Sequence, residues 1–145
     1  MTHISESLPE YFEVGDIFRH TFSFSQEQVA RFAEVTGDLN PLHLDEIYAA
    51  TTAFKRPIMH GFLGGSIFSK VFGTLFPGEG TVYLSQTMKF LRPMYVNTEY
   101  EAVFTVKDIQ LDKNLAIVTT QMLDKATQKV TIDGEATVMN KNVIK

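Results

Sequence analysis

Residues 37–45, Gly-Asp-Leu-Asn-Pro-Leu-His-Leu-Asp, crowd two carboxylates, an asparagine, a proline and a histidine between two stretches that read as helical. Asp38 and His43 flank Asn40-Pro41. Pro41 fixes its own φ and restrains Asn40 to extended geometry, so the turn is stiff enough to aim a carboxylate and an imidazole at one point. A water molecule at that point would face two groups of different pKa, one near neutrality, as acid–base chemistry at pH 7 requires. A second reading stays open on spacing alone. Asp38 and Asn40 would cap helix ends, the commoner use of such residues, and His43 would be a loop histidine.

His60-Gly61 opens a long apolar segment. If Gly61 stands on the first helical turn, its free N–H and the helix dipole face whatever precedes it. That is an oxyanion site, suited to a thioester carbonyl becoming an enolate. Alternatively Gly61 only admits a close strand. His60 itself reads as structural. His43-x-Asp45 with His60 also has the residue types of a two-histidine, one-carboxylate iron triad. Such triads stand on barrel strands, whereas these residues lie among helical patterns, and the metal reading is set aside.

The elements that must position these residues follow from periodicity. Val14–Phe24 alternates as a short strand. Ser25 and Gln28 form a capping box, a helix follows from Val29, and Gly37 stops it. Asp45 starts a second helical stretch, Glu46–Phe54, ended by Pro57. The segment from Gly61 to Phe76, apolar on every side, reads as a buried central helix. Pro77–Gly80 is a turn. Val82–Pro93, Glu99–Leu111, Leu115–Asp124 and Lys129–Met139 read as strands, and Asn140–Lys145 as a frayed tail. The result is a single α+β domain, 1–145 with a core of about 14–139: an antiparallel sheet around one long helix. One sheet on one helix leaves edges open, which favours a homodimer.

With 145 residues, 44% of them hydrophobic and Phe 12 among them, the chain can bury a core unaided. A net charge of −4 argues against nucleic acid, which wants a basic stripe. Cys 0 removes disulfides and thiolate nucleophiles and fits a reducing cytoplasm. The acidic start MTHISESLPEYFE has no signal-peptide pattern, and Lys70 with the small residues around it disfavours a membrane span at residues 61–76.

Residues 32–69, from FAEVTGDLNPLHLDEIY to MHGFLGGSIFS, closely resemble the hydratase motif of the MaoC-like (R)-specific enoyl-CoA hydratases. The likeness runs on through LFPGEGTVYLSQTMKFLRPMYVNTEYEAVFTV and covers about Val14 to Val138. It implies a hot-dog fold with a long central helix wrapped by an antiparallel sheet. It implies reversible syn hydration of trans-2-enoyl-CoA to (R)-3-hydroxyacyl-CoA, with no redox cofactor and no metal. It places the catalytic pair on Asp38 and His43, the oxyanion amide on Gly61, and a water-shaping role on Asn40. Asn97-Thr98 departs from the family's usual Gly-Asp in one turn, a surface change because Asn tolerates left-handed geometry.

Gly65, Ser69 and Phe72 share a helix face by spacing and are the expected lining of the acyl site. Phe72 would wall off its far end and favour short chains, about four to six carbons, since each methylene excluded forgoes about 0.8 kcal/mol of burial. Lys55, Arg56, Lys89 and Arg92 are candidate contacts for CoA phosphates. Two other classes are weighed: a thioesterase, which would want a carboxylate on or beside the central helix where residues 61–76 have none, and a non-catalytic acyl-CoA-binding protein, which would not need the proton pair.

Overall fold

The computed structural model describes residues 12–145 and the backbone of the two-residue strand β1 (His3–Ile4). Most of the acidic start, read above as lacking a signal sequence, lies outside the described residues. After β1 come β2 (Ile17–Phe22), α1 (Gln26–Thr36), α2 (Pro41–Leu44), α3 (Glu46–Ala50) and α4 (Gly61–Thr74). Strands β3 (Val82–Phe90), β4 (Tyr100–Gln110), β5 (Leu115–Asp124) and β6 (Val130–Met139) complete the chain, with a 3₁₀ turn at Leu111–Lys113. The sheet runs β1-β2-β4-β5-β6-β3. β2 to β6 pair antiparallel, and β1 adds a short parallel edge beside β2. No described helix is long and apolar enough to cross a membrane.

α1 starts and stops on its sequence signals. Ser25 accepts from the Gln28 amide, the Gln28 side chain accepts from the Ser25 amide, and Gly37 closes the helix in the left-handed region at φ 80°. Asn97, expected to tolerate left-handed geometry, sits at φ 55°.

Register decides which side of the sheet is core. Phe104 lies opposite Thr120, and Val118 opposite both Val106 and Ala136, so alternate residues of β4, β5 and β6 form one inner face. α4 lays Leu63, Gly64, Ile67, Phe68, Val71 and Phe72 against it, an i, i+3, i+4 stripe. Phe68 and Phe72 meet Phe104 edge-on at 5.7 and 5.2 Å between ring centroids, the arrangement favoured by ring quadrupoles. The other side of α4 is open in the single chain. Phe62 is 68% exposed, and Ser69 and Lys70 face outward, so the helix is buried on one stripe and not all round.

Where β6 meets β3 the backbones touch closely. A Cβ on Gly134 would lie 1.8 Å from the Thr87 carbonyl oxygen, so only glycine fits.

The tail departs from the expected fraying. Asn140 is buried; its side-chain amide donates to Glu79 O and Thr81 Oγ1, and its oxygen accepts from the amides of Asn142 and Val143. Ile144 is fully buried in the main core, and Asn114 donates to its carbonyl at 2.7 Å. The segment therefore closes one end of the core. Replacing Ile144 by Ala should lower the unfolding free energy by about 3 kcal/mol, as core isoleucine truncations do, measured by chemical denaturation. A change within error would mean that the segment frays after all.

Candidate active site

Two residues of the crowded turn are helix caps. Asn40 caps α2, its side-chain oxygen accepting from the Leu42 amide at 3.1 Å, and Pro41 takes the first helical position. Asp45 caps α3, accepting from the amides of Ile47 and Tyr48 at 2.9 and 3.0 Å. These two are committed to structure. Asp38 and His43 are the pair left to converge. α2, which periodicity alone passed over as loop, is the single turn that lifts His43 toward Asp38.

His43 is fixed at both ends. Its backbone carbonyl accepts from Gln26 of α1 at 2.9 Å, and its Nδ1 lies 2.7 Å from the Ile58 carbonyl. A carbonyl only accepts, so Nδ1 carries the hydrogen and Nε2 keeps its lone pair as the basic end. Ile58 is itself held: its amide reaches Leu42 O, and the next amide, Met59 N–H, donates to Met94 O at 2.7 Å.

His60 completes the cluster. A carboxylate oxygen of Asp38 and one ring nitrogen each of His43 and His60 all lie within 4.8 Å of one another. By distance these three donors could hold an ion, whereas Asp45, the carboxylate of the iron-triad pattern, is spent on its cap. The His43 and His60 rings are 3.9 Å apart between centroids and tilted by 30°. His60 is buried, and its Nε2 lies 3.0 Å from the Asp38 carbonyl. Burial is the main cause holding its pKa below the usual 6.5, and the neighbouring His43 adds to it. The hydrogen bond to the Asp38 backbone and the Asp38 charge oppose the shift.

Gly61 begins α4 directly after His60, and no side chain caps that helix end. Gly61 and His43 both line the cavity at that helix start. A Cβ on Gly61 would meet the Phe90 ring at 2.6 Å, so the glycine also admits that strand residue. The close-packing reading of Gly61 therefore holds.

Two apolar hollows flank this point. One, of about 430 Å³, is lined by His43, Gly61, Phe62, Phe90, Arg92 and Met94 among others. The second, of about 690 Å³, is an open groove bordered by Phe62, Gly65, Ser69, Tyr83 and Met88. Gly65 and Ser69 border it. Phe72 does not, and this corrects the expected wall: its ring is fully buried against Phe104, and Tyr83 packs over it at 5.1 Å. Tyr83 is the groove wall that spacing along one helix could not reveal, because it comes from β3. Its hydroxyl donates to Gln86, whose amide donates to Thr120 Oγ1 at 2.8 Å, and burial pushes the phenol up to about 12. Of the basic candidates, Arg92 borders the first hollow, Arg56 lies 3.7 Å over the Tyr95 ring, and Lys89 faces a polar groove on the other side of the sheet.

Residues 14–129 match the model of the MaoC like domain. The chain is 42% identical over 126 residues to an (R)-specific enoyl-CoA hydratase of Aeromonas caviae, covering 87% of this chain and 93% of that one. It is 36% identical to a mitochondrial 3-hydroxyacyl-[acyl-carrier-protein] dehydratase of Arabidopsis thaliana, covering 90% and 79%. A solved structure of an (R)-hydratase from A. caviae involved in PHA biosynthesis superposes with a TM-score of 0.86 at 40% identity, covering 91% of this chain and 99% of that one. The expected hot-dog fold is thereby established.

The depressed His60 pKa has a definite sign. The unfolded chain's imidazole takes a proton near pH 6.5 and the folded ring only below it. His60 therefore subtracts stability as pH falls below 6.5 and nothing above it. In an NMR titration its ring C–H signal should have its midpoint below pH 6.5; a midpoint at or above that value would contradict the burial effect.

Proposed function

We propose, since the chain belongs to the MaoC-like family of hydro-lyases, that its reaction is the reversible syn hydration of trans-2-enoyl-CoA to (R)-3-hydroxyacyl-CoA. The observation that carries this is the convergence of Asp38 and His43 beside the uncapped start of α4 at Gly61. The thioester oxygen accepts from the Gly61 amide, where the helix dipole stabilises the charge that grows as the enolate forms. Asp38 and the lone pair of His43 Nε2 hold a water against C3. One of the two removes its proton as the oxygen bonds to C3, and a proton passes from the same side to C2. The two proton transfers are assigned to the pair together. Asn40 contributes by shaping the turn that aims them.

The acyl chain runs past Phe62 into the groove floored by Gly65 and Ser69, with Tyr83 as its end and Phe72 backing that ring. CoA is the carrier we assign, with Arg92 the basic residue nearest the pocket. A homodimer forms along the β3 edge, where Val82, Leu84 and Phe90 are about half exposed beside Phe62. The cysteine-free composition fits a cytoplasmic enzyme. A thioesterase reading lacks its carboxylate on α4, and a passive binder would have no use for the paired acid and base.

Mixed with crotonyl-CoA, the protein should remove the conjugated enoyl absorbance while CoA stays attached. Release of free thiol would establish a thioesterase, and binding with neither change a passive carrier. Asp38→Asn and His43→Gln should each lower turnover by about three orders of magnitude, and the double variant by little more, because residues acting as one unit are non-additive. Clean additivity would undo the shared-water mechanism. Sedimentation at micromolar concentration should give twice 16.4 kDa; a monomer would remove the β3 interface.

A further inference from the structure

We propose that His60 is a positioning residue that sets Asp38 and His43 against each other, its Nε2–H holding the Asp38 carbonyl while its ring supports the His43 imidazole. The inference rests on the hydratase reading for its consequence but on geometry for its substance. Asp38 sits on an exposed turn, and its other hydrogen bonds among the described residues are local: its amide to Thr36 Oγ1, and its carboxylate from the Asn40 amide at 3.4 Å. The bond from His60, across 22 positions, ties that turn to the body of the domain. On its ring face His60 meets His43 at 3.9 Å, and Phe32 of α1 packs against it at 4.9 Å. One side chain thus touches both members of the pair.

The two rings hold opposite tautomers. His43 donates from Nδ1 to Ile58 O, and His60 donates from Nε2 to Asp38 O. The remaining His60 nitrogen, Nδ1, is buried with no hydrogen bond. A residue needed only to fill this space would do so without that loss, as Phe or Met could, and His60 does not cap α4 with its side chain. Its purpose is the one bond it does make. Staying neutral also matters, because a second cation stacked on His43 would oppose proton uptake there; burial keeps His60 neutral at pH 7.

Two substitutions separate the functions of the ring. His60→Phe keeps a ring against His43 and loses the donor; His60→Gln keeps an N–H at similar reach and loses the ring. With crotonyl-CoA, H60F should lower kcat about 10- to 100-fold with KM within about threefold, the size of loss that small misplacements cause. H60Q should recover at least about threefold of that kcat. Melting temperatures are recorded in parallel. An H60F enzyme with wild-type kcat, or one whose kcat and KM shift together with a lowered melting temperature, overturns the proposal. Imidazole ¹⁵N spectra of the wild-type protein give a readout without substrate: His43 as the Nδ1–H form and His60 as the Nε2–H form. Matching tautomers overturn the proposal even if H60F fails to fold. Opposite tautomers in a protein that leaves crotonyl-CoA untouched would sustain the positioning role and sink the hydratase reading instead.

Discussion

The seating of α4 on the sheet is the contact from which everything else takes its place. Phe104, in the middle of the inner face, receives Phe68 and Phe72 from the helix and Phe18 from β2. Interlocking rings leave few ways to slide or turn, because a close-packed interior tolerates little change in shape. Fixing the roll of α4 fixes where its first residues point. Gly61 then faces the hollow beside His43, and His60 is pressed between Phe32 and His43. The helix tip is held in place by rings two to three turns away.

The turn from Gly37 to Asp45 separates duties that residue types alone would confuse. Asn40 and Asp45 satisfy orphan amides at the starts of α2 and α3, while Asp38, whose carboxylate takes only a long bond from the Asn40 amide, and His43 cap neither helix. Each is steered from its backbone or from the far side of its ring, by Ile58, Gln26 and His60. Polar groups held this way need little reorganisation as charge moves, and that preorganisation is where active sites gain most.

Much of this was legible in the chain. Ser25, Gln28 and Gly37 announced α1, the switch from helical to alternating period at Thr81 marked the strands, and β5 began and ended where its pattern did. Asp38 and His43, singled out in the turn by residue type, are brought within reach of each other. What sequence could not carry were contacts between distant segments. Ile144 looked like the end of a polar tail because its core partners come from elsewhere. Phe72 shares a helix face with Ser69 by spacing, yet the sheet interposed Tyr83 between it and the groove. His60 read as structural since its partner is the Asp38 backbone, whose position no side-chain pattern reports. α2 escaped notice because one turn is too short to show a period, although Asn40-Pro41 was its start signal in plain view.

The strand order carries a consequence for assembly of the fold in time. Among the described residues β3 is the first of the four long strands in the chain, yet it lies at the sheet edge and pairs with β6, the last. Its register partner for Val82 is Met139, so the pairing must close a long loop whose entropy is lost before the contacts form. The caps of α1, α2 and α3 are local contacts and can order early. The wall of Tyr83, Met88 and Phe90 cannot stand until β4, β5 and β6 have zipped in sequence and Gly134 has slotted under Thr87. The groove beside α4 is therefore walled only when the chain's last long strand has paired with its first.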